Sequence, residues 1–298
     1  MALVETDELW TVVQTRILDA CKWSLHSPRN LGRPRPNRRT WLAEGEPGTV
    51  VVKAVSNPFL LNRLTWTEAA LTILSGRGYP VPHTLWRGAL DTQWSILVQE
   101  HIIGEPLATI TTASLNSLLA LIDLQADPRI GLEGGWDTSW WIGVVLFEGW
   151  EGWWDTVQAA RPLVASKLRA FLEPAWGFRL PTADLVHGDL NFTNILCCDG
   201  TITGVVDWDD MGLGSRATDF TSLLLDFHRH RVLQGHSYQT GIHDRLVQRI
   251  KEIVGPNGLR CTVAYGMIAR IALSAQRREK EAVSTWCAVA EDILAAIG

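Results

Sequence analysis

Leu185-Val-His-Gly-Asp-Leu-Asn-Phe-Thr-Asn-Ile-Leu-Cys-Cys-Asp-Gly-Thr-Ile-Thr-Gly-Val-Val-Asp-Trp-Asp-Asp210 interrupts a chain whose second half is otherwise helical in pattern. Asp199-Gly200 is a strong hairpin turn signal, set between the apolar runs Ile195–Cys198 and Thr201–Val206. A hairpin here predicts that Asn194, just before its first strand, and Asp207, just after its second, share one end. Asp189 lies five residues before Asn194, in the loop that feeds the hairpin. Carboxylate and amide oxygens are hard ligands suited to Mg²⁺. A further carboxylate not tied to the metal can accept a proton from a hydroxyl.

The spacing His-x-Asp-(x)4-Asn, followed by a separate Asp, is the arrangement kinases use for phosphoryl transfer. The transferred group is highly charged, so metal ions must neutralise it, and the acceptor hydroxyl needs orientation and a proton acceptor. The bland alternative is a polar loop at His187–Asn194 with Asp207 capping a strand. His187-Gly-Asp-Leu-Asn-Phe-Thr-Asn194 with Val205-Val-Asp-Trp-Asp209 resembles the aminoglycoside phosphotransferase family. The Val-Val-Asp-Trp-Asp version looks especially like phosphotransferases that inactivate peptide antibiotics of the viomycin type. The resemblance implies a protein-kinase-like bilobal α+β fold, with a small β-rich N-lobe and a larger helical C-lobe. It implies Asp189 as catalytic base and Asn194 and Asp207 as magnesium ligands. It also implies that Asp219 tethers the catalytic loop, with His187 ordering that loop rather than attacking.

Working back toward the N-terminus, Thr49–Val55 follows the turn Glu46-Pro47-Gly48 and reads as a buried strand. Asn57-Pro58 then offers an N-cap and a first-turn proline for a helix running to about Ser75. Trp94–Gln99 reads as another strand, and the first hundred residues read β, β, α, β, β. Lys53 is the only charge in its strand, and a buried Lys without a partner is costly. Glu68 sits on the helix stripe of Leu61, Leu64 and Leu71. Each misplaced charge would explain the other, and in kinases such a Lys–Glu pair holds the nucleotide phosphates. By resemblance Glu100 to Ile102 forms the hinge whose backbone holds a purine, of ATP or GTP. The joint near Gln99–Gly104 divides the chain into 1–102, a nucleotide-binding lobe, and 103–298, a catalytic and substrate-binding helical lobe.

Two family features are weak. The segment Asn30–Thr40 holds one Gly and two Pro where a glycine-rich loop is expected, and no Walker motif is present. Arg33, Arg35, Arg38 or Arg39 either approaches phosphates instead or forms a solvated basic loop. Asp207 is followed by Trp208-Asp209 rather than Phe-Gly, which disfavours protein substrates.

Composition narrows the classes. Of 298 residues, 46% are hydrophobic and 20% charged, which excludes general disorder. A net charge of -5 argues against a nucleic-acid binder. The longest uncharged stretch, Leu107–Ile122, is shorter than a membrane span and carries Thr, Ser and Asn. Cys21, Cys197, Cys198, Cys261 and Cys287 are scattered and odd in number, and the N-terminus is acidic, so a cytoplasmic protein is expected. His228, His230, His236 and His243 have spacings unsuited to zinc. The tryptophans Trp136, Trp140, Trp141, Trp150, Trp153 and Trp154 are either core or a ligand platform. Glu148, Glu151 and Asp155, with Asp209 and Asp210, either face a basic substrate or form a solvated acidic face. The expected partner is a hydroxyl-bearing small molecule, with no nucleic acid and no membrane; the oligomeric state is not legible. A catalytically silent kinase-like binding protein is the alternative, and a metallohydrolase a distant third.

Overall fold

A computed structural model describes residues 6–31, 37–56, 58–127, 135–149, 152–235 and 240–297. Arg33, Arg35, Trp150, Glu151 and His236 lie outside the described residues, as does the Leu61 side chain. The chain divides into two units. The first runs to Gly104 and takes in Thr203–Asp209 as well; the second holds Glu105–Ile202 and Asp210–Gly298. The first change of unit comes between Gly104 and Glu105. The return of Thr203–Asp209 to the first unit is absent from the 1–102 division, because a linear boundary cannot describe a chain that comes back.

The first unit opens with α1 (Thr6–Cys21), followed by β1 (His26–Asn30), β2 (Arg38–Gly45) and β3 (Gly48–Val55). Next come α2 (Pro58–Gly76), β4 (Thr84–Ala89) and β5 (Ser95–Glu100). The five strands form one antiparallel sheet in the order β1-β2-β3-β5-β4. Helix α1 is an addition to the sequence reading. Its Leu9, Trp10, Val13 and Ile17 pack on Trp41, Ala43, Val50, Val52 and Ala54 of the sheet. Trp10 and Trp41 meet at 5.3 Å between ring centroids. Because strand side chains alternate between faces, burying Val52 and Ala54 against α1 sends Lys53 to the opposite face.

The second unit contains β6 (Glu105–Pro106), α3 (Thr112–Asp123), α4 (Thr138–Gly143), α5 (Trp153–Ala160) and α6 (Pro162–Leu172). It continues through β7 (Asp184–Val186), β8 (Ile195–Cys198), the first residues of β9 (Thr201–Val205, which passes into the first unit at Thr203) and β10 (Gly212–Gly214), then α7 (Ala217–Gln234), α8 (Thr240–Gln276) and α9 (Lys280–Ile297). Thr111 caps α3, accepting from the Ser114 N–H while the Ser114 hydroxyl accepts from the Thr111 N–H. The stretch Thr156–Leu172 is two helices rather than one. Arg161 is pushed to φ −153° ahead of Pro162, which disfavours helical backbone in the residue before it. Gly255, at φ 69°, breaks α8 where Gly255-Pro256 interrupts the sequence pattern. The expected hairpin forms with β8 and β9 as its arms, and Asp199 (φ 50°) and Gly200 (φ 76°) both take the left-handed backbone a tight turn needs.

Candidate active site

In the second unit, β7 leads into the loop His187–Asn194, and α7 holds that loop from below. Asp219, in the first turn of α7 and fully buried, accepts the His187 N–H at 2.7 Å and the Gly188 N–H at 3.1 Å. Two turns further along the same helix face, Asp226 accepts the Phe192 N–H at 2.8 Å. His230 stacks on the Phe192 ring at 4.8 Å. Burial pushes the Asp219 carboxyl up, against the opposing pull of His187 and of the two backbone N–H groups. His187 is buried, and its Nδ1 accepts from the Asp189 N–H at 3.3 Å. Gly188 sits at φ 85°, and a Cβ there would strike the carbonyl oxygen of Asp210, so the residue between His187 and Asp189 must be glycine.

Asp189 is half-buried at the turn of this loop. Its carbonyl accepts from Asn194 Nδ2 at 2.9 Å and from Asn191 Nδ2 at 3.2 Å. With its amide nitrogen spent, Asn194 presents Oδ1 as a hard oxygen donor. Near Asp189, Tyr265 is half-buried, and desolvation followed by the charge of Asp210 pushes its phenol up to about 12. Asp226 and Tyr265 were not singled out from the sequence. The seven-residue interval from Asp219 to Asp226, two helical turns, was the signal for the former.

In the first unit, Lys53, Glu68, Leu71, Leu97, Gln99, Asp207, Trp208 and Asp209 line one cavity. Within it the expected Lys53–Glu68 pair does not form. Lys53 Nζ lies 3.1 Å from Asp207 Oδ1 and 2.9 Å from Asp209 Oδ1. Glu68 pairs with Arg87 of β4 at 3.4 Å. Two carboxylates placed against Lys53 outcompete a single one across the cavity. Asp209 is therefore not part of an acidic face toward a substrate. Burial disfavours charge on Lys53, but Asp209 and Asp207 overcome it and raise its pKa. Burial likewise works against Asp207, yet Lys53 and Arg38 hold its carboxyl well below the usual range. Asp207 also takes φ 65°, a strained backbone for a non-glycine residue.

Glu100 closes β5 and donates its N–H to the His83 carbonyl at 3.0 Å. Among the described residues, the Ile102 N–H and C=O take no hydrogen bond from the protein. The tryptophan segment splits in two. Trp153 and Trp154 are core, with Trp154 Nε1 donating to the Leu146 carbonyl at 3.1 Å. Trp140 is 59% exposed and meets Trp136 edge-on at 6.3 Å. Among the described residues no group of three His, Cys, Asp or Glu is set to hold a metal ion. A carboxylate held ionised, as at Asp207, and an amide oxygen, as at Asn194, are each of the hard-oxygen type that Mg²⁺ takes. No described helix is long and apolar enough to cross a membrane.

An antiparallel sheet with one buried lysine, and a helical unit whose loop is tethered by a helix-borne aspartate, define a protein-kinase-like fold. The chain belongs to the phosphotransferase enzyme family, whose model matches residues 35–251. Among solved structures it is similar to aminoglycoside phosphotransferase APH(4)-Ia, with 17% identity, 96% of this chain and 98% of that one covered, and a TM-score of 0.68. It is also similar to macrolide 2′-phosphotransferase MphH from Brachybacterium faecium, with 19% identity, coverage of 93% and 97%, and a TM-score of 0.57. A third likeness is the GDP complex of aminoglycoside 2′-phosphotransferase-IIIa, with 14% identity, coverage of 98% and 99%, and a TM-score of 0.60. No curated protein matches the sequence significantly.

Proposed function

We propose that this phosphotransferase moves the γ-phosphoryl group of ATP or GTP, with Mg²⁺, to a hydroxyl of a small molecule. The acceptor would be an antibiotic, aminoglycoside or viomycin-like, or a related metabolite. The observation that carries the reading is the loop His187–Asn194, fastened at three backbone N–H groups by Asp219 and Asp226 of one helix. A loop held this rigidly keeps the Asp189 carboxylate in one place, which is what orienting an acceptor hydroxyl demands. Asp189 takes the hydroxyl proton as the acceptor oxygen bonds to the γ-phosphorus and the bond from that phosphorus to the departing nucleoside diphosphate breaks. Asn194 and Asp207 supply the oxygens that would hold Mg²⁺, whose chemistry is neutralising charge on the phosphates. Lys53 stands ready for the same phosphates, and Glu68 lines its cavity. The Ile102 backbone, without a hydrogen bond among the described residues, would meet the purine edge, with Glu100 two residues before it.

Support for the nucleotide comes from relatives of the fold. Solved complexes of APH(4)-Ia contain ADP or AMP-PNP together with hygromycin B. The aminoglycoside 2′-phosphotransferase-IIIa structure contains GDP. A nucleotide donor goes with a cytoplasmic site of action. The test is a mass-spectrometric screen for phosphorylated products. It uses Mg-ATP and Mg-GTP, a panel of hydroxyl-bearing antibiotics, sugars and amino alcohols, and Asp189→Ala as the blank. A product from the native protein that the blank does not make is the expected result. Nucleotide binding without turnover on any acceptor of the panel would favour a catalytically silent binding protein.

A further inference from the structure

Arg38, at the start of β2, faces Val55 of β3 across the ladder, and Thr40 faces Lys53. Residues two apart on a strand share a face, so Arg38 and Lys53 project to the same side of the sheet as diagonal neighbours. There they meet Asp207 and Asp209. Arg38 Nη2 donates to Asp207 Oδ1 at 2.7 Å and to Oδ2 at 2.8 Å, and Arg38 Nη1 lies 2.7 Å from Asp209 Oδ2. Lys53 takes one oxygen of each acid. Among the described residues the result is a cluster of two cations and two anions.

Arg38 thus covers both oxygens of the carboxylate assigned above to the metal. A divalent cation needs the same lone pairs, and it carries the same sign of charge as the guanidinium. Metal arriving alone would bring two positive charges beside two more. Metal arriving with a nucleotide brings phosphate oxygens, which accept from a guanidinium fork as readily as a carboxylate does. Resting on the phosphotransferase reading, we propose that Arg38 is a resident counter-ion of Asp207 that couples metal binding to nucleotide binding. It blocks the carboxylate until phosphates draw it away. It also supplies, from β2, a cation for the phosphates in a chain whose preceding segment is poor in glycine.

The test measures the Mn²⁺ dissociation constant by electron paramagnetic resonance, with and without ADP, in the native protein and in Arg38→Met. The native protein should bind Mn²⁺ weakly alone and much more tightly with ADP. In Arg38→Met, Mn²⁺ alone should bind roughly tenfold more tightly, and the tightening by ADP should shrink by about the same factor. An arginine that only braces the fold would not change that ratio. An equal ratio in both proteins, or weaker Mn²⁺ binding in the variant alone, overturns the role of Arg38 and leaves the phosphotransferase reading standing. If folded native protein binds neither Mn²⁺ nor ADP, both fall. Should Arg38→Met not fold, Arg38→Lys carries the test, because an ammonium keeps the charge but loses the two-oxygen grip; the ratio should fall part of the way, and an unchanged ratio counts against the proposal.

Discussion

At the scale of single residues, the active loop depends on one buried carboxylate more than on its own side chains. Asp219 satisfies two backbone N–H groups at once, and nothing else in the loop is placed to replace it. Removing it leaves both donors buried, at a cost of about 1–3 kcal/mol each. Asp219→Ala should therefore lower unfolding stability by a few kcal/mol in urea titration. It should also lower turnover by more than it weakens nucleotide binding, since the loop holds Asp189 and not the purine. A variant with native turnover would show that the tether is not needed. Asp189→Ala should behave differently. Its side chain is half-buried and makes none of the loop's supporting bonds, so stability should hold while kcat falls about 10²–10⁴-fold. Circular dichroism melting beside steady-state kinetics separates the two cases. The residues of this site were legible because phosphoryl transfer demands a particular set of oxygens at particular spacings. What the spacing could not reveal was competition. Lys53 and Glu68 both line one cavity, but the identity of each one's partner depends on Asp209 and Arg87, which no local pattern ties to them.

At the scale of elements, the β8–β9 hairpin was readable from two residues, since Asp-Gly between apolar runs admits few backbones. Helix α1 was not, although its buried Leu9, Trp10, Val13 and Ile17 keep helical spacing. Exposed Val12 and Leu18 blur that stripe, and Thr and Val favour strands as much as helices. The junction of α7, α8 and α9 was equally hidden. His228 Nε2 lies 2.9 Å from His243 Nδ1, and His228 Nδ1 lies 2.6 Å from Asp292 Oδ2. A carboxylate only accepts, so a neutral His228 donates from Nδ1 and accepts at Nε2, and His243 donates. Arg231 also binds Asp292. Burial and Arg231 hold His228 down to about 4 despite the carboxylate beside it. Burial and His228 hold His243 down to about 4 as well, with Asp244 opposing and Lys251 assisting. Both folded values lie below the ordinary 6.5, so the unfolded chain binds the extra protons. Stability is full above the unfolded value and is lost as pH falls from about 6.5 toward about 4, by on the order of a few kcal/mol. Urea midpoints at about pH 7 and about pH 5 should therefore differ, and His243→Gln should narrow the difference. An unchanged gap in that variant would place the acid sensitivity elsewhere.

At the scale of the whole molecule, the chain builds two cores and sends one short segment back. Thr203–Asp209 belongs to the first unit, although it lies two-thirds of the way along the sequence. Its place there is fixed by the Val205 N–H donating to the Pro80 carbonyl at 2.8 Å, by Gly204 packing against Ile102, and by Trp208 meeting Tyr79 edge-on at 5.5 Å. Glycine at 204 is what permits the close approach, because a Cβ would overlap the Ile102 side chain. This return brings Asp207 to Lys53, and it makes the cavity around Lys53 a property of one unit, since every residue lining it belongs to the first. A nucleotide that uses this cavity should therefore stabilise the first unit more than the second. At a concentration of about 100 times its dissociation constant, a ligand adds roughly 2.7 kcal/mol to the state that binds it. Amides of β3, α2 and Thr203–Asp209 that exchange through opening of that unit should then slow about 100-fold with Mg-ADP. Amides of α8 and α9 should slow far less. Hydrogen exchange read by mass spectrometry resolves these segments, with Asp207→Asn as the comparison in which the slowing should shrink. Equal slowing in α8 and α9 would mean that the two cores open as one, and slowing confined to α8 and α9 would mean that the nucleotide does not use the Lys53 cavity.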